Sequence, residues 1–145
     1  MLNIKKVSIM KKAFLFCALL SATLVLTSCG PEVKLEYQVG VASADCPMYV
    51  DDGLTITDID TEGNNVVYTC VVDESDGETS VADFDDSFVR SMMKESIMDY
   101  IINNQDPDVK ELTKLVKAAN YNVVYRYVGS HTNAKVDIVI YSHEL

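Results

Sequence analysis

Residues 66–72 read Val66-Val67-Tyr68-Thr69-Cys70-Val71-Val72, a run of β-branched and aromatic side chains without charge, glycine or proline. Such a run suits a pleated, well-covered strand. Val66, Tyr68, Cys70 and Val72 fall on one face, while Val67, Thr69 and Val71 fall on the other. Both faces are therefore at least partly covered, and the strand reads as central. Immediately upstream, Glu62-Gly63-Asn64-Asn65 offers residues that tolerate positive φ, which makes a hairpin turn. Its partner strand is predicted over residues 54–60, with Leu54 and Ile56 on one face. Cys46-Pro47-Met48-Tyr49-Val50 leads into Asp51-Asp52-Gly53, a strong turn signal.

Downstream, residues 73–80 form a polar loop and a helix begins near Asp83. Phe84, Phe88 and Met92, together with Val89, Met93, Ile97 and Ile101, recur at spacings of four and give a wide apolar stripe. Ser80, Asp83, Asp85 and Asp86 suit the positive end of that helix. It is predicted to run to Ile102 and stop at Asn103-Asn104. Asp106-Pro107-Asp108 opens a second helix, with Asp as cap and Pro in its first turn. Val109, Leu112, Val116 and Ala119 make its apolar face, and Asn120 closes it. Residues 121–128 alternate Tyr121, Val123, Tyr125 and Tyr127 against Asn122, Val124, Arg126 and Val128. A turn at 129–133 and a last strand at 135–141 complete the chain. The order ββααββ predicts an α+β domain, an antiparallel sheet of two β-hairpins with two helices on one face. Residues 35–42 read either as a further strand in front or as part of a tether.

The chain has 145 residues, 48% of them hydrophobic, with 12 Lys and Arg against 22 Asp and Glu. That length suits one domain with a modest core. The apolar content excludes a disordered acidic tail as the main structure. A formal net charge of −10 argues against nucleic acid as a partner, because phosphate binding needs a basic face.

Lys11 and Lys12 precede a short apolar region that closes on Leu26-Thr27-Ser28-Cys29, the pattern of a secretory signal rather than a spanning helix. Leu26-Thr27-Ser28-Cys29 resembles the lipobox of bacterial prolipoproteins. The resemblance implies that the Cys29 thiol is diacylated and that the chain is cut just before it. Residues 1–28 are then a signal peptide, with Met10 an alternative start. Two acyl chains anchor stably where one does not. Gly30 stands where an Asp would hold a proteobacterial lipoprotein at the inner membrane, so the resemblance leans toward the outer membrane of the cell envelope. Residues 29–44 are expected to be the lipidated N-terminus and a tether, and residues 45–145 the domain.

Without residues 1–28, 8 basic and 22 acidic side chains remain, a net charge of −14 over 117 residues. Cys17 leaves with the signal and Cys29 carries the lipid, so Cys46 and Cys70 remain as a pair. In an oxidising compartment they are expected to form a disulfide, worth roughly 3–4 kcal/mol in the chain-entropy model. A redox or metal-binding pair is the alternative, disfavoured by the wide spacing and the absence of Cys-x-x-Cys.

Catalytic signatures are absent. His131 lies in a turn and His143 near the end, and neither stands in a recognisable motif. The chain is read as a binding module without enzymatic activity or cofactor. Residues 45–95 hold fourteen acids against Arg90 and Lys94. Asp58, Asp60 and Glu62-Gly63 begin like an EF-hand loop, but the twelfth position is Thr69, which cannot serve as the bidentate ligand. The acidic loop 73–86, with Asp73, Asp76, Glu78, Asp83 and Asp86, is the remaining calcium candidate. Its bland counterpart is a solvated turn running into a helix N-terminus. The acidic balance otherwise favours a basic protein partner through electrostatic steering. The face of Tyr121, Val123, Tyr125 and Tyr127 is either core or, if exposed, a recognition surface.

Overall fold

The computed structural model describes residues 29–51 and 53–145. Helix α1 (Pro31–Ala44) leads into strands β1 (Met48–Asp51), β2 (Leu54–Glu62) and β3 (Asn65–Val72). Helices α2 (Ser87–Asn103) and α3 (Pro107–Ala119) follow, then strands β4 (Asn122–Gly129) and β5 (Lys135–Ile140). Short 3₁₀ turns at Val81–Asp85 and Ser142–Glu144 complete the elements. The strands lie side by side in chain order, β1-β2-β3-β4-β5. The class is α+β, and residues of all three helices join the core on one face of the sheet.

Beyond the extra strand β1 in front of the first hairpin, two features differ from the ββααββ reading. The sheet is mixed, because β3 and β4 pair in parallel, from Asn65 beside Asn122 to Val72 beside Gly129. The other neighbours are antiparallel. A parallel neighbour needs a crossover of a dozen or more residues, and residues 73–121 supply it with room for two helices. Asn120, in the left-handed conformation (φ 56°), closes α3. Asn122 then docks on the β2–β3 turn, its amide donating to the Asn64 carbonyl at 2.8 Å.

The second correction concerns residues 31–44, expected as a tether or a strand. They form α1, with Pro31 in its first turn and Leu35 and Val39 buried. Leu35 has no exposed surface at all. Val33 and Tyr37 lie on the outer side of the same helix, which blurs its amphipathic pattern in sequence. The domain thus begins almost immediately after Cys29.

A bulge in β2 resets its faces. The register slips between Ile56 and Asp58, so Leu54, Ile56 and Ile59 all point into the core despite the odd spacing. The tyrosine face of β4 is core: Tyr121, Val123, Tyr125 and Tyr127 are buried. Tyr125 stacks on Tyr68 of β3 at 5.1 Å, and Phe84 meets Tyr127 edge-on at 5.6 Å. The Tyr127 hydroxyl is fully enclosed and has no hydrogen-bond partner.

The opposite face of the sheet carries no described helix. Across it the Arg126 guanidinium bridges Glu62 of β2 (2.7 and 3.1 Å) and Asp137 of β5 (3.1 Å). Glu62 lies four positions along the ladder from the Arg126 row, so the arginine stem passes over Val67 and Val124. Val67 and Val124, in the row between, are buried although they lie on this face.

Leu35→Ala is expected to cost about 2–5 kcal/mol in urea unfolding. A silent substitution would show that α1 is not part of the core. Tyr127→Phe removes an unpartnered buried hydroxyl and is expected to stabilise by about 1 kcal/mol, read in the same assay.

Candidate interaction surface

Three connections meet at one end of the sheet, where β2 begins and β3 and β4 end. Asp73 donates its amide to the Gly53 carbonyl at 2.7 Å, and Ser130 donates its amide to the Val72 carbonyl at 3.0 Å. Between them sits Glu74, the buried charged side chain among the described residues. Its carboxylate accepts the amides of Val81 (2.9 Å), His131 (3.1 Å) and Thr132 (2.9 Å), and the Thr132 hydroxyl at 3.0 Å. Its own amide donates to the Ser130 hydroxyl at 3.1 Å. These donors come from two segments, Val81 on one side and His131 and Thr132 on the other, that are distant in sequence. Backbone amides aimed at the ionised form, those of Val81 and Thr132 first, hold the Glu74 pKa down at about 2. Gly129 makes room for this arrangement. A Cβ there would stand 2.5 Å from both Glu74 carboxylate oxygens and from the Thr132 hydroxyl.

With the loops so fixed, an open hollow of about 510 Å³ forms on the helix-free face. Tyr49, Val50, Gly53, Thr55, Val71, Asp73 and Ser130 line it. Ladder pairing puts Tyr49 beside Thr55 and Thr55 beside Val71, so the three share the open face. Tyr49 is 76% exposed, the most exposed of the large hydrophobic side chains among the described residues. The Asp73 carboxylate is oriented by the amide and hydroxyl of Ser75, at 2.9 and 3.0 Å. Among the described residues no lysine, arginine or histidine lines the hollow.

A second depression lies between α2, α3 and the sheet, floored by Tyr68, Val123 and Tyr125 and walled by Tyr100, Ile101 and Leu112. Its volume is only about 30 Å³. That accommodates about one water, far below the roughly 300–1,000 Å³ of small-molecule sites.

The calcium candidates do not converge. Asp73 serves Ser75, and Asp76 accepts the amides of Glu78 and Thr79. Asp86 caps α2 through the amides of Phe88 and Val89. Glu78 and Asp83 are exposed on separate turns. Among the described residues no three His, Cys, Asp or Glu side chains gather as a metal site. The described contacts of the acidic loop 73–86 are turn and cap chemistry, and they lend the calcium-binding alternative no support.

Cys46 and Cys70 are free thiols, contrary to the expected disulfide. Cys70 pairs with Ile56 of β2, which pairs on its other side with Met48 of β1. Cys46 stands two residues before Met48, outside that ladder, and its thiol donates to the Ala42 carbonyl at 3.8 Å. Burial, with Asp58 and Asp45 nearby, pushes the Cys46 thiol up, away from the reactive thiolate. Of the histidines, His131 contacts the Ser130 hydroxyl at 2.9 Å and is exposed, while His143 stacks on Tyr141. The signal and lipobox residues Leu26, Thr27 and Ser28 lie outside the described residues. Cys29 is a half-buried free thiol two residues before α1. Among the described residues no helix is long and apolar enough to cross a membrane.

Sequence reasoning singled out neither Glu74 nor Tyr49. In sequence Glu74 is one acid among many, and Tyr49 one aromatic beside a turn. Only the closure of the β4–β5 turn over the 73–80 loop distinguishes them.

No protein-family model and no curated protein sequence matches the chain. Solved structures do share the fold. A candidate secreted protein of Pseudomonas aeruginosa aligns over 79% of this chain and 91% of its own, at 18% identity and a TM-score of 0.56. The type II secretion system pilotin of Vibrio vulnificus aligns over 79% and 90%, at 13% identity and a TM-score of 0.55. The type II secretion system pilotin of Vibrio cholerae aligns over 79% and 92%, at 10% identity and a TM-score of 0.53. At such identities the likeness is one of fold.

The Glu74 cradle has a signed pH dependence. Its stabilisation is full above about pH 4.5, the ordinary value, and drains away as pH falls toward the folded value of about 2. Glu74→Gln is expected to lower the urea midpoint at pH 7 and to flatten that acid limb. Gly129→Ala is expected to cost about 1–3 kcal/mol by crowding the carboxylate. An unchanged acid limb in Glu74→Gln would remove Glu74 from the account.

Proposed function

We propose that the protein is a lipid-anchored interaction module of the bacterial cell envelope, held at the outer membrane through Cys29 and acting by binding a basic protein partner rather than by catalysis. The observation that carries this reading is the preformed hollow on the open sheet face, walled by an aromatic ring and a carboxylate and, among the described residues, lined by no base. The two type II secretion pilotins that share the fold are proteins of an envelope machine, which supports an envelope setting. A net charge of −14 on residues 29–145 favours rapid capture of a basic partner.

The anchor geometry adds a constraint. Only Gly30 separates Cys29 from the first residue of α1, and α1 is locked into the core by Leu35 and Val39. At about 3.5 Å per extended residue, the folded domain sits within roughly 10 Å of the acylated residue. The module is held against the membrane surface instead of ranging on a long tether.

The test is the full-length protein in cells, carrying a photo-crosslinking residue in place of Tyr49. With Cys29 intact the expected result is membrane fractionation and a crosslink to a basic envelope protein, lost as salt screens the encounter. Cys29→Ala should release the protein from the membrane fraction. Membrane retention of Cys29→Ala, or no salt-sensitive crosslink, would overturn the reading.

A further inference from the structure

We infer that the hollow bounded by Tyr49, Asp73 and Ser130 is a seat for an arginine side chain presented by a partner protein. The inference rests on the interaction-module reading and adds the chemistry of the contact. Its wall, Tyr49, offers an aromatic face that is 76% exposed, and a guanidinium stacks on such a face by cation–π attraction. Its floor, Val50, Thr55 and Val71, is apolar enough to lie under an arginine stem. Its rim carries the Asp73 carboxylate, with Ser130 beside it as a hydroxyl acceptor.

Four points favour this occupant over others. Asp73 forms no ion pair with a described base, although Asp85, Glu62, Asp137 and Glu144 each do. Its orientation is set in advance by Ser75, and the Ser130 side is set by Glu74, so little ordering remains for binding to complete. The nearest base in the same ladder row is Lys135, beside Val128 on the far side of β4. Two strand spacings, about 10 Å, separate it from Val71. The planar, forked guanidinium matches a ring face and a carboxylate together, which an ammonium does not.

The experiment titrates a capped tetra-arginine peptide, and separately a tetra-lysine peptide, into the ¹⁵N-labelled full-length lipidated protein in detergent micelles. The expected result is amide shifts concentrated at Gly53, Thr55, Val71 and Ser130, with arginine binding more tightly than lysine. Tyr49→Ala and Asp73→Asn should each weaken binding by about two- to fivefold, the range of exposed cation–π and ion-pair contacts. Glu36→Gln, which removes an acid on α1 far from the hollow, should leave it unchanged. Shifts spread over the acidic surface, equal binding of lysine, an equal loss in Glu36→Gln, or no binding would each overturn the inference. A failed titration beside a salt-sensitive crosslink from Tyr49 sinks the arginine seat alone. Loss of the crosslink as well sinks the interaction-module reading with it.

Discussion

The parallel pairing of β3 with β4 is the constraint on which the rest of the fold depends. An antiparallel neighbour could have followed a tight turn, but a parallel one obliges the chain to return to the starting end of β3 before β4 can begin. The segment that makes this return carries α2 and α3, and their apolar stripes settle on the face where Tyr68, Cys70, Tyr125 and Tyr127 lie. Helix α1 fills the remaining place, against α3 and β2. The other face is left without a helix, and Arg126 covers its centre with a stem pinned at both sides by carboxylates. Where Arg126 does not reach, the open face ends in the Tyr49 hollow.

At that end a single carboxylate replaces what a larger protein would build from packing. The 73–80 loop and the β4–β5 turn have little apolar surface to join them, so their backbone amides converge on Glu74 instead. A buried charge is costly when unpaired, yet this one is met by three amides and a hydroxyl, donors that favour the ionised form. The same bonds that depress its pKa also fix the positions of Asp73 and Ser130. Electrostatics in this region therefore serves structure at Glu74 and leaves surface charge free at Asp73.

The acids of residues 45–95 look alike in sequence but divide sharply in the fold. Asp86 caps a helix, Asp85 holds Arg90, Asp76 closes a turn, and Glu74 is buried. The partners of Asp76, Asp85 and Asp86 lie within five residues of each, so local sequence can announce those roles, whereas Glu74 depends on amides brought in from His131 and Thr132. The same limit applies to the cysteines. Their even number suggests a pair, whereas Cys46 and Cys70 are free thiols turned to the carbonyls of Ala42 and Tyr68.

By itself the sequence determined the elements whose signals are local. The β-branched run 66–72, the four-residue spacing through Val89, Met93, Ile97 and Ile101, the Asp106-Pro107 helix start and the Glu62–Asn65 turn each specify their own structure through backbone propensity and side-chain periodicity. It also placed Tyr121, Tyr125 and Tyr127 on one face. Tertiary structure decided what depends on distant partners: the parallel register of β3 and β4, the folding of residues 31–44 into α1, the bulge that turns Ile59 inward, and the burial of Glu74. Leu35 is helical because α3 and β2 offer it a dry surface, which its neighbours in sequence cannot announce. The hollow beside Tyr49 belongs to this second class, since its walls come from strands and loops that meet only when the sheet closes.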